Sequence, residues 1–164
     1  MTQRGSWAEP AIFFYASSSQ KMNRDVFFLQ GLGRFADFGM LFLRVITGAF
    51  LIYGVVDNVV SVDRMHEFSV FLASHDFPAP SLMAPVSVYV QLLCGVALML
   101  GFLTRWAGIV VVVHFVIALV MVHWLEDFRG WWPAVALVGI GFQFALTGAG
   151  AIAVDALVED KRDT

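Results

Sequence analysis

Four long apolar runs, separated by short polar stretches, dominate the chain: residues 38–60, 82–103, 106–125 and 131–154. Each matches the ~20 residues that an α-helix needs to cross a hydrocarbon core. None shows the short alternating segments of a membrane β-barrel. Tight turns, at residues 104–105 above all, force neighbouring spans to run antiparallel. The pattern predicts an all-α integral membrane four-helix bundle with up-down-up-down topology.

The flanking segments carry weaker patterns. Residues 1–37 mix Arg4, Lys21, Arg24 and Arg34 with an apolar patch at 12–16, which is shorter than the ~7 residues of a signal-peptide core. Residues 1–21 have no periodic pattern, so Met22 stands beside Met1 as a candidate native start. Phe27, Phe28, Leu29, Leu32 and Phe35, set among Gln30 and Arg34, predict a short interfacial helix over 26–38. Between the first two spans, Met65, Phe68, Phe71 and Leu72 recur at three- and four-residue spacing, which predicts an amphipathic helix packed on the bundle. Pro85 is expected in the first turn of the second span, where no amide partner is lost. The domain organisation is an N-terminal segment (1–37), the membrane domain (38–154) and a charged tail (155–164).

Composition supports the lipid reading. Of 164 residues, 59% are hydrophobic and 14% charged, against about 25% charged in soluble domains. Mean hydropathy is +0.77. A net charge of -3 gives no basic footprint for nucleic acid, so none is expected as a partner. Cys94 is the only cysteine, which rules out an intramolecular disulfide. Arg4, Lys21, Arg24, Arg34, Arg105, Lys161 and Arg162 fall on one side of the membrane, opposed by Arg64 and Arg129 alone, so both termini are expected in the cytoplasm. Trp124, Trp131 and Trp132 mark the opposite interface, and Trp106 the inner one.

Candidate chemistry lies in polar residues within the spans. Gln91, His114 and Gln143 come near the centres of three spans, and small residues flank two of them at i±4: Ser87 and Gly95 around Gln91, Gly139 and Thr147 around Gln143. One reading makes them interhelical glue; the other makes them a mid-membrane polar pocket, with His114 able to exchange a proton. Arg44 either snorkels to the headgroups or turns inward to hold an anionic or carbonyl-bearing ligand. Asp57 is either solvated at the outer interface or engaged in a salt bridge or cation contact. His66, His75 and His123 lie near acidic residues, but no two histidines have the i, i+4 spacing of a helical metal pair, so no metal site is expected. No nucleophile elbow, phosphate loop or dinucleotide fingerprint is present, which leaves enzymatic activity open.

With these residues in view, the chain resembles the DoxX family of small four-helix bacterial membrane proteins. The resemblance is carried by Arg44 to Gly54 (RVITGAFLIYG), Phe77-Pro78, Gln91 to Gly95, Leu100-Gly101 with Arg105, Ala118, and Gly148-Ala149-Gly150 through Asp155. Asp57 and Gln91 stand where many members carry Lys and Glu. The resemblance implies a multi-pass protein of the bacterial inner membrane, linked to thiosulfate–quinone electron transfer or to thiol and oxidative-stress complexes.

The resulting expectation is a membrane subunit that supports a redox assembly. No cofactor is evident in the sequence itself; a quinone or other lipophilic ligand is the candidate, near Arg44, Gln91, His114, Gln143 and Asp57. Membrane lipids, a redox-protein partner or a second copy are the expected neighbours. Two other functions fit the same pattern: passage of a small solute through the polar layer, and a non-catalytic scaffold.

Overall fold

The computed structural model describes residues 29–124 and 126–160. All regular structure among them is helical, as the sequence predicts. Two compact units divide at Ala36–Asp37. In the N-terminal unit a 3-10 helix, Gln30–Phe35, follows Leu29, which adopts a left-handed backbone. The Arg34 guanidinium lies 4.8 Å from the centre of the Phe35 ring. The expected interfacial helix falls here in part. Its residues 26–28, Met22 and the tail residues 161–164 lie outside the described residues.

The helices that follow are α1 (Ala36–Tyr53), all but its first residue in the bundle unit, α2 (Val56–Val60), α3 (Val62–Ser74), α4 (Pro80–Leu100), α5 (Thr104–Ala118), α6 (Phe128–Thr147) and α7 (Val154–Asp160). A π-helical turn, Leu119–His123, extends α5. Four of these helices, α1, α4, α5 with its π turn, and α6, are long and apolar enough to cross a membrane. At 1.5 Å per residue, the 21 residues of α4 span about 31 Å, close to one hydrocarbon thickness. Large apolar side chains such as Phe42, Leu93, Trp106 and Leu146 face outward. Such a surface suits lipid and would aggregate in water.

One core joins the four spans through Leu51 of α1, Cys94 and Leu98 of α4, Ala107 and Val111 of α5, and Leu137 and Phe144 of α6. Two glycine pairs bring backbones close. A Cβ on Gly48 would lie 2.5 Å from the Gly95 carbonyl oxygen, and one on Gly108 would lie 2.6 Å from that of Gly141. Both pairs relate antiparallel helices. Close backbone approach of this kind is the usual way membrane helices gain packing contacts without a hydrophobic driving force.

Several helix ends differ from the sequence expectation. The first span breaks at Gly54–Val55: the Val55 amide bonds to Ile52 at 3.1 Å, where a continuing helix would use Leu51. The second span begins at Pro80, so Pro85 sits beyond the first turn and its ring leaves the Ser81 carbonyl without its helical partner. The fourth span, which the apolar run extends to residue 154, ends at Thr147. Gly148 and Gly150 then turn the chain with φ of 77° and 76°, values that favour glycine. The amphipathic helix expected between the first two spans is α3, capped by the Ser61 hydroxyl accepting from the Arg64 amide.

Candidate functional site

Val90 is the middle residue of α4, which puts Gln91 at the helix centre; His114 is likewise central to the span running from Thr104 to His123. Both line a cavity of about 300 Å³ between α4, α5 and α3. Its walls include Phe68, Phe71 and Phe77 from the α3 side and Phe115 from α5, and His123 also lines it. The amphipathic period of α3 turns Phe68, Phe71 and Leu72 toward the bundle, so this helix forms one wall. Below the cavity, Cys94 shares with Gln91 and His114 a void too tight for a water molecule.

The break in the first span determines how Gln91 is oriented. Leu51 loses its helical partner there, and Gln91 Nε2 donates to the freed carbonyl at 3.1 Å. Nε2 also lies against Gly54, where an added Cβ would come within 3.1 Å of it. An amide turned this way has its nitrogen on the α1 side. Oε1 is then the atom left, with no donor among the described residues, on a side chain that lines the cavity. His114 meets Phe115 edge-on with centroids 5.0 Å apart, and its ring nitrogens bond to no group among the described residues. A ligand in the cavity thus finds apolar and aromatic walls with a few polar atoms, the usual constitution of a small-molecule site.

The other sequence candidates are placed elsewhere. Gln143, expected to join Gln91 and His114 at one depth, does not do so. Because α6 ends at Thr147, it lies one turn from the helix end, and it is exposed. A Cβ added to Gly139 would meet nothing within 4 Å, whereas Gly141 packs on α5, so the Gly139–Gln143–Thr147 stripe faces outward. Asp57 is exposed on α2, where its Oδ1 accepts from the Asn58 amide at 3.0 Å. Neither lines the cavity.

Arg44 is turned inward and is only 1% exposed. Its Nη1 donates to the Ala149 carbonyl at 2.7 Å and its Nη2 to that of Ile152 at 2.8 Å. The carbonyls it holds are the protein's own, in the segment after α6. Further groups fasten that segment. Asp37 Oδ1 accepts from the Ala151 amide at 3.0 Å. Asp155 accepts from the Leu103 and Thr104 amides at 2.7 and 2.9 Å, capping α5. Arg105 Nη1 reaches the Leu146 carbonyl at 2.7 Å. The sequence reading places Asp155 in the charged tail and in the stretch that carries the resemblance, without a role; the signal that could have found one is its position shortly after Gly148-Ala149-Gly150.

A larger groove of about 620 Å³ runs along this end of the bundle, between Arg105, Trp106, the 148–151 turn and α7. We assign the site to the smaller cavity, because it lies at mid-span with two polar side chains that keep free atoms, Gln91 and His114, whereas in the groove Arg105 and Asp155 serve backbone groups and the Thr104 hydroxyl alone is buried without a partner among the described residues. Among the described residues no group of three His, Cys, Asp or Glu side chains gathers as a metal site. His123 Nδ1 pairs with Glu126 Oε2 at 2.6 Å beside the π turn.

The comparisons with known proteins bear on the same region. A family model described as DoxX matches residues 39–124, a stretch that includes both Gln91 and His114. No curated protein and no solved structure matches the chain.

Proposed function

The chain belongs to the DoxX family, and from that premise we propose that it is a membrane subunit supporting a redox assembly, with a quinone or another lipophilic ligand held in the Gln91–His114 cavity. One observation carries this reading: a 300 Å³ cavity reaches the centre of two spans and presents an amide and an imidazole among phenylalanine rings. Polar groups at mid-membrane are costly unless they have company, and a polar-headed lipophile supplies it. Electrons pass to or from the ligand through a redox-protein partner, since the site offers hydrogen bonds and a proton carrier.

The distribution of Lys and Arg supports insertion in the bacterial inner membrane with both termini in the cytoplasm. The cavity then lies in the outer half of the bundle, between α3, the first half of α4 and the second half of α5. A passage for solutes receives less support, because Leu51, Leu98, Val111 and Phe144 pack together beyond the cavity, all under 3% exposed.

Co-purification tests this reading. Protein purified in native lipid is extracted with organic solvent, and the extract is compared with that of a His114→Ala variant of equal yield. A lipid-soluble redox compound that co-purifies with the wild type and is depleted in the variant is expected. Equal amounts in both, together with unchanged activity of the variant strain, would refute the proposal.

A further inference from the structure

Resting on the ligand-holding reading above, we infer that the cavity selects a ring ligand bearing a hydroxyl group, of the phenol class, over the same ring bearing a carbonyl or an ether. The hydrogen-bonding atoms that α1 leaves free set this preference. Gln91 Nε2 is engaged by the Leu51 carbonyl and lies against Gly54, so both its position and its orientation are set by α1. A carbonyl accepts and cannot donate, which fixes which end of the Gln91 amide faces it. Nε2 keeps its second hydrogen on the α1 side, and Oε1, at the other end, is the acceptor left with no donor among the described residues.

An acceptor in an apolar cavity calls for a donor. A ligand carbonyl or ether oxygen can accept from His114 but has no hydrogen to give, so it leaves Oε1 desolvated and unpaired, the expensive outcome for a polar atom covered by a ligand. A hydroxyl resolves both requirements. It donates to Gln91 Oε1, and its oxygen accepts from whichever nitrogen of His114 carries the proton. The rest of the molecule meets Phe68, Phe71, Phe77 and Phe115, rings that suit an aromatic body through offset or edge contacts. Applied to a quinone couple, the same reasoning means that the reduced, hydroxyl-bearing form is held more tightly than the oxidised form.

Three redox-inert probes isolate the donor: a 4-alkylphenol, its methyl ether and the matching alkylbenzene. Binding to the full chain in lipid nanodiscs is measured by titration calorimetry, with empty nanodiscs subtracted to remove partitioning. The phenol is expected to bind about tenfold more tightly than the ether, the worth of one hydrogen bond to an otherwise unpaired acceptor. The ether, whose oxygen can still accept from His114, is expected to fall between the phenol and the alkylbenzene. Gln91→Met, of similar length, should bring the phenol to the level of the ether. Equal binding of phenol and ether by the wild type overturns the inference while leaving the cavity reading in place, and this result needs no variant. A phenol preference that persists in a folded Gln91→Met protein also overturns it. Saturable binding of none of the three would sink the cavity reading itself.

Discussion

Replacing Arg44 is the most informative single perturbation of the bundle. Its guanidinium is almost wholly buried and donates two short hydrogen bonds to carbonyls more than 100 positions away in the chain. Bonds from a charged donor are worth about 1.5–3 kcal/mol each. In a bilayer the unfolded reference state also finds polar partners, which lowers ordinary interhelical bonds to about 1 kcal/mol. Two charge-assisted bonds then give about 3 kcal/mol for Arg44→Met, which keeps most of the volume and none of the donors. At roughly 2–4 °C per kcal/mol for a chain of this size, the midpoint should fall by about 6–12 °C, read by the helical circular dichroism signal in detergent. Arg44→Lys keeps the charge but lacks the fork that spans two carbonyls, so it should recover less than half of the loss. Limited proteolysis supplies a local readout, with new cleavage expected within 148–155. An Arg44→Met protein that melts within about 1–2 °C of wild type and gains no cleavage there would show that Arg44 does not anchor this segment.

Other substitutions probe the remaining contacts. Gly108→Val should cost more than about 2 kcal/mol, because even a Cβ would lie 2.6–2.7 Å from backbone atoms of Gly141 and Ala145; Gly139→Ala, which meets nothing within 4 Å, should be neutral or raise the midpoint through helix propensity. Asp155→Ala removes the acceptor for two amides at the start of α5 and should cost about 1–2 kcal/mol in the same melts, as other lost helix caps do. Gln91→Ala should lose about 1–2 kcal/mol by orphaning the Leu51 carbonyl, whereas Gln143→Ala, on the outer face of α6, should stay within about 0.5 kcal/mol.

The spans are legible in the sequence because lipid makes each helix satisfy its own backbone bonds. A continuous apolar run then has one outcome, and α3 likewise follows from the spacing of Phe68, Phe71 and Leu72. The end of α6 is not legible. Gly148 and Gly150 permit a turn but do not require one, and what fixes it there is Arg44, which the sequence places in another helix. That end in turn sets the depth of Gln143. It would be central to a span reaching residue 154, but it stands one turn from the end of a helix closing at Thr147. Gln91 and His114 keep their expected depth because their helices shift by only a few residues. The orientation of the Gln91 amide is beyond sequence reasoning, since it depends on a carbonyl released by the break at Gly54–Val55.

These placements divide the bundle into two halves with different demands. Toward the 148–155 segment, both glycine pairs draw helices together, and Arg44, Asp37, Asp155 and Arg105 tie backbone groups of neighbouring elements. Most polar side-chain atoms there serve the protein's own carbonyls and amides, and Arg44 Nε and Thr104 Oγ1 are the buried ones left without a partner among the described residues. Toward α3 the helices lack such glycine contacts, the first span is interrupted, and the space between α4 and α5 is walled by phenylalanine rings instead of being filled. Gln91 Oε1 and His114 keep polar atoms free in that half, where the proposed ligand would pair with them. Stability and ligand selection should therefore separate residue by residue: substitutions at Arg44, Gly108 or Asp155 move the melting point alone, Gln91→Ala moves both, and His114→Phe changes binding while leaving the melting point nearly where it was.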